Sequence, residues 1–156
     1  VKPLDDLRNF GYLIKDLSRL YACNFERYAQ ALNLSLGQCK VLGYLQRHEG
    51  ISQIRLAELT DTSPMTLARL LARMEQDGLV ERRADPEDGR AHCLYLRRPA
   101  LPVLEEIWRV SDRVSGETLS GLSAAERRQL INLLKRVHAN LDALLPGRAS
   151  RAEPSQ

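Results

Sequence analysis

From Leu4 to Leu32, apolar residues return every three or four positions, at Leu7, Phe10, Ile14, Leu17, Tyr21, Phe25, Tyr28 and Leu32. That is the period of one face of a helix, so the stretch predicts an amphipathic helix of about seven turns. Ser35-Leu36-Gly37-Gln38 has the spacing of a capping box, with Leu34 placed to staple against Cys39. It opens a second helix through Val41, Leu42 and Leu45 to about His48, and Gly50 stops it. Ser52 caps a short third helix with Ile54, Leu56, Ala57 and Leu59 as its apolar positions, after which Thr60-Asp61-Thr62 breaks the period into a tight turn. Ser63-Pro64 is an N-cap followed by proline at the first helical position, where the missing N–H costs nothing. The fourth helix turns Leu67, Leu70, Leu71 and Met74 to one side and reaches Gly78, a left-handed C-terminal cap.

The period then drops to two. Leu79 to Arg83 and His92 to Arg97 read as short strands, joined by the polar tip Ala84 to Ala91. Beyond Pro99 and Pro102 the helical period resumes through Leu104, Ile107, Trp108, Val114 and Leu119. A second capping box, Ser123-Ala124-Ala125-Glu126, opens a last helix carrying Leu130, Leu133, Leu134, Val137, Leu141 and Leu144. Pro146-Gly147 ends it, and residues 146–156 are expected to be a disordered tail. This order predicts a mainly α fold with a small β-hairpin wing, a winged helix-turn-helix over residues 35–98. A helix that offers its first turn to solvent on such a scaffold fits the major groove of DNA, which is ~12 Å wide, and the hairpin reaches the neighbouring backbone or minor groove.

Composition narrows the function classes. Apolar residues make up 44% and charged residues 28%, a globular balance, and no apolar run approaches the roughly 18 residues needed to cross a bilayer. A soluble, cytoplasmic protein is the expectation. The net charge of +3 permits nucleic-acid binding without demanding it, and residues 51–98 hold eight arginines against eight acidic residues. Any DNA affinity must therefore come from where the arginines stand. Three cysteines, Cys23, Cys39 and Cys93, and three histidines, His48, His92 and His138, are scattered without metal-ligand spacing. No catalytic motif occurs, so the reading is a non-enzyme with no catalytic residue, no metal and no cofactor.

The stretch from Leu56 to Arg82, LAELTDTSPMTLARLLARMEQDGLVER, resembles the signature of the MarR family of bacterial transcription regulators, and Asp85-Pro86-Glu87-Asp88-Gly89-Arg90-Ala91 resembles the family's wing. The similarity runs from about residue 10 to 144, and the opening of the last helix resembles the SlyA-like branch. The resemblance implies a homodimer held by helices in residues 4–34 and 99–145, each winged domain reading half of a pseudo-palindromic operator in double-stranded DNA. It also implies a regulator, most often a repressor, that some small apolar or aromatic effector releases from DNA.

On that reading Ser63, Pro64, Met65 and Thr66 form the leading turn of the groove-facing helix. Arg69, one turn in, is the expected base or phosphate contact. Arg73, a turn later, either touches DNA or pairs with Glu75, Asp77 or a wing carboxylate. Arg90 at the wing tip is the minor-groove candidate, and Asp88 its orienting partner, since a bare carboxylate beside phosphate is repelled. Tyr12, Tyr21, Tyr44, His48 and Trp108 stand on helices that the resemblance places around an effector cleft; most such residues are simply core. The peroxide-sensing branch of the family uses a first-helix cysteine that would fall near Leu7 to Phe10, where this chain has none. Two alternatives stay open: a helical protein-interaction module without DNA binding, and a thiol-based redox-responsive regulator.

Overall fold

In the computed structural model, residues 8–84 and 92–144 are described. Six α-helices and a three-stranded antiparallel sheet of order β1-β3-β2 make a mainly α winged helix fold. The elements are α1 Phe10–Ala29, followed by a single 3-10 turn Gln30–Leu32, then α2 Leu36–Arg47, β1 Ile51–Ser52, α3 Gln53–Thr60, α4 Pro64–Gln76, β2 Val80–Ala84, β3 His92–Leu96, α5 Ala100–Thr118 and α6 Ala124–Ala143.

The boundaries follow local chemistry. Ser35 accepts from the Gln38 amide while the Gln38 side chain accepts from the Ser35 amide, so two of the orphan donors at the start of α2 are satisfied reciprocally. Ser123 and Glu126 do the same for α6. Ser52 caps α3 through the Arg55 amide. At the far end of α4 the Leu79 amide donates to the Met74 carbonyl and the Gly78 amide to the Glu75 carbonyl, with Gly78 at φ +69°. That pair of bonds is the Schellman closure, which requires a left-handed residue at the position glycine holds. Gly50, at φ +80°, is fixed twice over, because an added Cβ would also stand 3.2 Å from the Tyr95 hydroxyl.

The chain divides into two compact units, residues 1–115 and 116–156. In the first, Leu42, Leu45, Leu56, Leu67, Leu71, Met74 and Leu94 are wholly buried, joined by Leu104 and Val114 of α5 and by Phe25 and Ala29 of α1. Thr60, a buried polar side chain, returns its hydroxyl to the Leu56 carbonyl at 2.8 Å. In the second unit α6 exposes Ile131, Leu133, Leu134 and Leu141, and its C-cap Leu144 is exposed too.

Several expectations shift. β2 sits one residue further along than predicted, while β3 begins at His92 as expected and ends one residue short, the two paired from Val80↔Leu96 to Ala84↔His92. A strand that periodicity did not predict, β1, pairs Ile51 with Leu94 and Ser52 with Cys93. Ile54, counted among the apolar positions of the third helix, is 71% exposed, because the core side of so short a helix is filled by Leu56 and Ala57. The first helix is shorter than the predicted span from Leu4 to Leu32, starting at Phe10 after the turn at Arg8 and Asn9 and ending in the 3-10 turn Gln30–Leu32, while Leu4, the wing tip from 85 to 91 and the C-terminal tail lie outside the described residues.

Candidate nucleic-acid interface and ligand cleft

The face of α4 opposite Leu67, Leu71 and Met74 is the exposed one. Ser63 begins it: its Oγ accepts from the Thr66 amide at 3.2 Å and donates to Thr66 Oγ1 at 2.9 Å. Pro64 follows at the first helical position. Met65 is 74% exposed, an apolar side chain that nothing in the first turn covers. Arg69 is exposed and, among the described residues, joined to no carboxylate. Arg73 is also exposed, and its Nε donates to Asp77 Oδ2 at 3.2 Å. Of the partners weighed for Arg73, Asp77 is thus the one it meets, because i and i+4 lie on the same helix face. The terminal guanidinium nitrogens remain available beyond that bond. Arg90 and Asp88 lie outside the described residues.

A second concavity lies between α1, α2 and α5. It holds roughly 300 Å³ and is walled by Tyr21, Phe25, Cys39, Tyr44, Ile107 and Trp108, with Lys40 and Arg47 also lining it. Trp108 Nε1 donates to Gln46 Oε1 at 2.7 Å, and the Arg47 guanidinium carbon stands 5.2 Å from the indole centroid. The Tyr21 hydroxyl is 3.2 Å from Ser115 Oγ. Three of the five aromatic or polar-tipped residues singled out in the sequence, Tyr21, Tyr44 and Trp108, therefore share this cleft. Tyr12 does not: nine residues ahead of Tyr21 on the same helix, it is displaced by about 13 Å of helical rise and lines a separate shallow groove with Asn9, Leu13 and Arg19. His48 does not either: it is the exposed C-cap of α2 and does not line the cleft. Burial pushes the Cys39 thiol up to about 11, so at neutral pH it stays protonated and a poor nucleophile. Among the described residues no group of histidine, cysteine and carboxylate side chains could hold a metal ion, and no helix is long and apolar enough to cross a membrane.

Residues 32–91, the winged segment with its leading turn, match the MarR family. Over 132 residues the chain is 31% identical to the transcriptional regulator HosA of Escherichia coli O111:H-, covering 84% of this chain and 96% of that protein. The chain belongs to the MarR family. A MarR-family regulator from Methanosarcina mazei shares the fold at a TM-score of 0.79, with 21% identity over 88% of this chain and 99% of the other. A mutant MarR from E. coli, solved in complex with operator DNA, superposes at a TM-score of 0.70 with 25% identity over 88% of this chain and 99% of its own. The relatives are transcriptional regulators, not enzymes, and this chain is likewise a transcriptional regulator of the MarR family.

The MarR-family scaffold also holds charged residues at the base of the wing: Arg82, Arg83, Glu81 and Arg97, to which the sequence reading gave no role, and Glu75, which it weighed only as a partner of Arg73. Arg82 Nη1 meets Glu75 Oε2 at 3.1 Å, linking β2 to α4. On the opposite face of β2, Arg83 Nε donates to Glu81 Oε1 at 2.7 Å, its guanidinium stacks 4.1 Å over the Tyr95 ring, and Arg97 Nε lies 3.8 Å from Glu81 Oε2. The available signal was the alternation of β2 itself: with Val80 buried, Arg82 must share its side of the strand, while Glu81 and Arg83 take the other.

Proposed function

We propose that this regulator is a homodimeric, sequence-specific double-stranded DNA-binding protein, acting in the cytoplasm as a repressor that a small aromatic effector releases. The observation that carries the DNA reading is the division of α4. Leu67, Leu71 and Met74 are consumed by the core, while Met65, Thr66, Arg69 and Arg73 stand outward behind a capped, proline-led first turn. Arg69 reaches a base edge or phosphate, Met65 offers an apolar contact suited to a thymine methyl, and the capped leading turn from Ser63 to Thr66 sets the approach of the helix to the groove. Arg90, oriented by Asp88, takes the adjacent minor groove.

Residues 35–98 form the DNA-binding domain, and residues 4–34 and 99–145 supply the dimer helices. Support comes from the apolar residues that α1 and α6 leave exposed, among them Leu13, Leu17, Leu20, Leu134 and Leu141. Covering both sets requires an interface of core-like character, above about 2,000 Å² in total. The cleft at Tyr21, Tyr44 and Trp108 takes the effector. Its aromatic walls suit a planar ring, and Lys40 and Arg47 suit a carboxylate or phenolate on that ring. The ligand favours dimers whose recognition helices no longer match half-sites about 34 Å apart.

The test is salt-dependent retardation of duplexes selected from a random pool. The full chain should enrich an inverted repeat, and Arg69→Ala should lose about 1 to 3 kcal/mol of specific affinity together with the preference at one base position per half-site. Failure to retain any duplex would leave a helical protein-interaction module as the better reading. Phenolic acids should weaken DNA binding and raise Tm together, since the same ligand acts on both by mass action.

A further inference from the structure

We propose that the Glu75–Arg82 ion pair is a clasp that sets the wing against the recognition helix α4, so that the two residues are positioning residues for engaging both grooves of one half-site at once. The proposal rests on the DNA-binding reading above and adds to it a determinant that touches no DNA.

Glu75 stands in the last turn of α4, six residues after Arg69 and so about 120° around the helix from it. It flanks the DNA-facing surface without belonging to it. Arg82 is the third residue of β2, and the Schellman turn at Gly78 separates the two partners. Their side chains are each 30% exposed, so the 3.1 Å contact is partly withdrawn from water and less screened than an ordinary surface pair.

Two further features give the pair a task. In the sheet order β1-β3-β2, the strand β2 is an edge, bonded to β3 alone. Leu79 and Val80 anchor its start in the core, and the turn to α4 is closed by the Gly78 and Leu79 amides, so beyond Val80 the Glu75–Arg82 pair is the side-chain tie from β2 back to α4 among the described residues. The second feature is Arg82 Nε, which is buried and, among the described residues, has no hydrogen-bond acceptor. An unsatisfied buried donor is costly, and such a group persists where its surroundings use the position it enforces. Here the guanidinium is held across the gap by Glu75, and among the described residues its Nε–H meets no acceptor. β2 runs on from Arg82 to Ala84 beside the start of β3 at His92, so a small rotation at Arg82 becomes a larger displacement at that end of the paired strands.

The experiment uses the full chain with Glu75→Ala, Arg82→Ala and the exchanged pair Glu75→Arg/Arg82→Glu. Binding is measured on duplexes that share the selected half-sites and differ only in flanks, A·T-rich or G·C-rich, where the wing would lie. The single substitutions should each weaken binding about tenfold on the preferred flank and erase the flank preference. The base preference read by Arg69 and the Tm should stay near those of the unaltered protein, and the exchanged pair should regain most of the lost affinity. Unchanged flank preference in the single variants would overturn the clasp. So would an equal loss on every duplex accompanied by a lower Tm, which is what a merely structural pair would give, or an exchanged pair no better than the singles. If the unaltered protein retains no duplex, the DNA-binding reading itself falls and takes the clasp with it; a failure confined to the variants leaves that reading intact.

Discussion

The winged body and the N-terminal half of α1 are built from the same residue types at the same helical spacing, and they end in opposite places. Leu42, Leu45, Leu67 and Leu71 in the body are completely buried, whereas Leu13, Leu17 and Leu20 in α1 are 56%, 49% and 50% exposed. Within α1 itself the change comes partway along, since Phe25 and Ala29 reach the core and Phe10 and Ile14 do not. A helical period shows that a face is apolar; it does not say what covers that face. In the body the cover comes from the same chain, within a few dozen residues. For the N-terminal half of α1 no described residue supplies it, and the proposed dimer would cover the exposed stripe.

The largest effect expected from breaking this contrast comes from Leu17→Glu combined with Leu20→Glu. Four charges buried across the proposed two-fold interface should loosen the proposed dimer by a factor of about 10³, near 4 kcal/mol. Sedimentation at micromolar concentration should then find monomers whose circular dichroism still shows a folded winged body; an intact dimer would mean that α1 is covered by something else. Next in size is the pair Leu71→Ala and Leu13→Ala, chemically identical truncations in the two regions. Leu71→Ala should cost about 3 kcal/mol in urea denaturation at any protein concentration, because the cavity lies inside one chain. The loss from Leu13→Ala should be smaller and should depend on concentration, since it acts through association. Equal, concentration-independent losses would erase the distinction between the regions.

The smallest effect concerns a terminus that needs neither core nor partner. At the start of α6, hydrogen bonds from Ser123 hold the Glu126 carboxyl below its ordinary value of about 4.5. A carboxyl lowered in the folded state lends stability that is present above the unfolded value and is lost as pH falls through the folded one. Helicity should therefore decline below about pH 4.5 in the unaltered protein. Glu126→Gln should keep the reciprocal cap and remove that component of the acid response, as read by circular dichroism across the acid range.

What the sequence made readable was mostly local. The serine caps at Ser35, Ser52, Ser63 and Ser123 and the left-handed Gly78 each depend on a few neighbouring residues, and all of them form as predicted. β1 was not readable because two residues carry no alternation, and its existence depends on β3 lying alongside, some forty positions later in the chain. The same holds for the cleft. Tyr21, Tyr44 and Trp108 come from three helices, and periodicity alone could not separate them from Tyr12 and His48. The outward face of α4 was readable, because the four core positions of that helix exhaust its apolar side and leave Arg69 and Arg73 opposite. Their surroundings were only partly so: Asp77 was one of several carboxylates within reach of Arg73, and the tie from Glu75 to Arg82 crosses a turn whose geometry the residue types alone do not reveal.

The indole that donates to Gln46 is the only one in the chain. All of the protein's tryptophan fluorescence consequently originates at the wall of the cleft, from a ring with a guanidinium over one face and a side-chain amide at its nitrogen. A molecule entering between Tyr21 and Tyr44 would change the polarity around that single emitter, and the shift in its emission would report occupancy without any attached dye. The protein thus carries its own optical gauge of the space where an effector would sit.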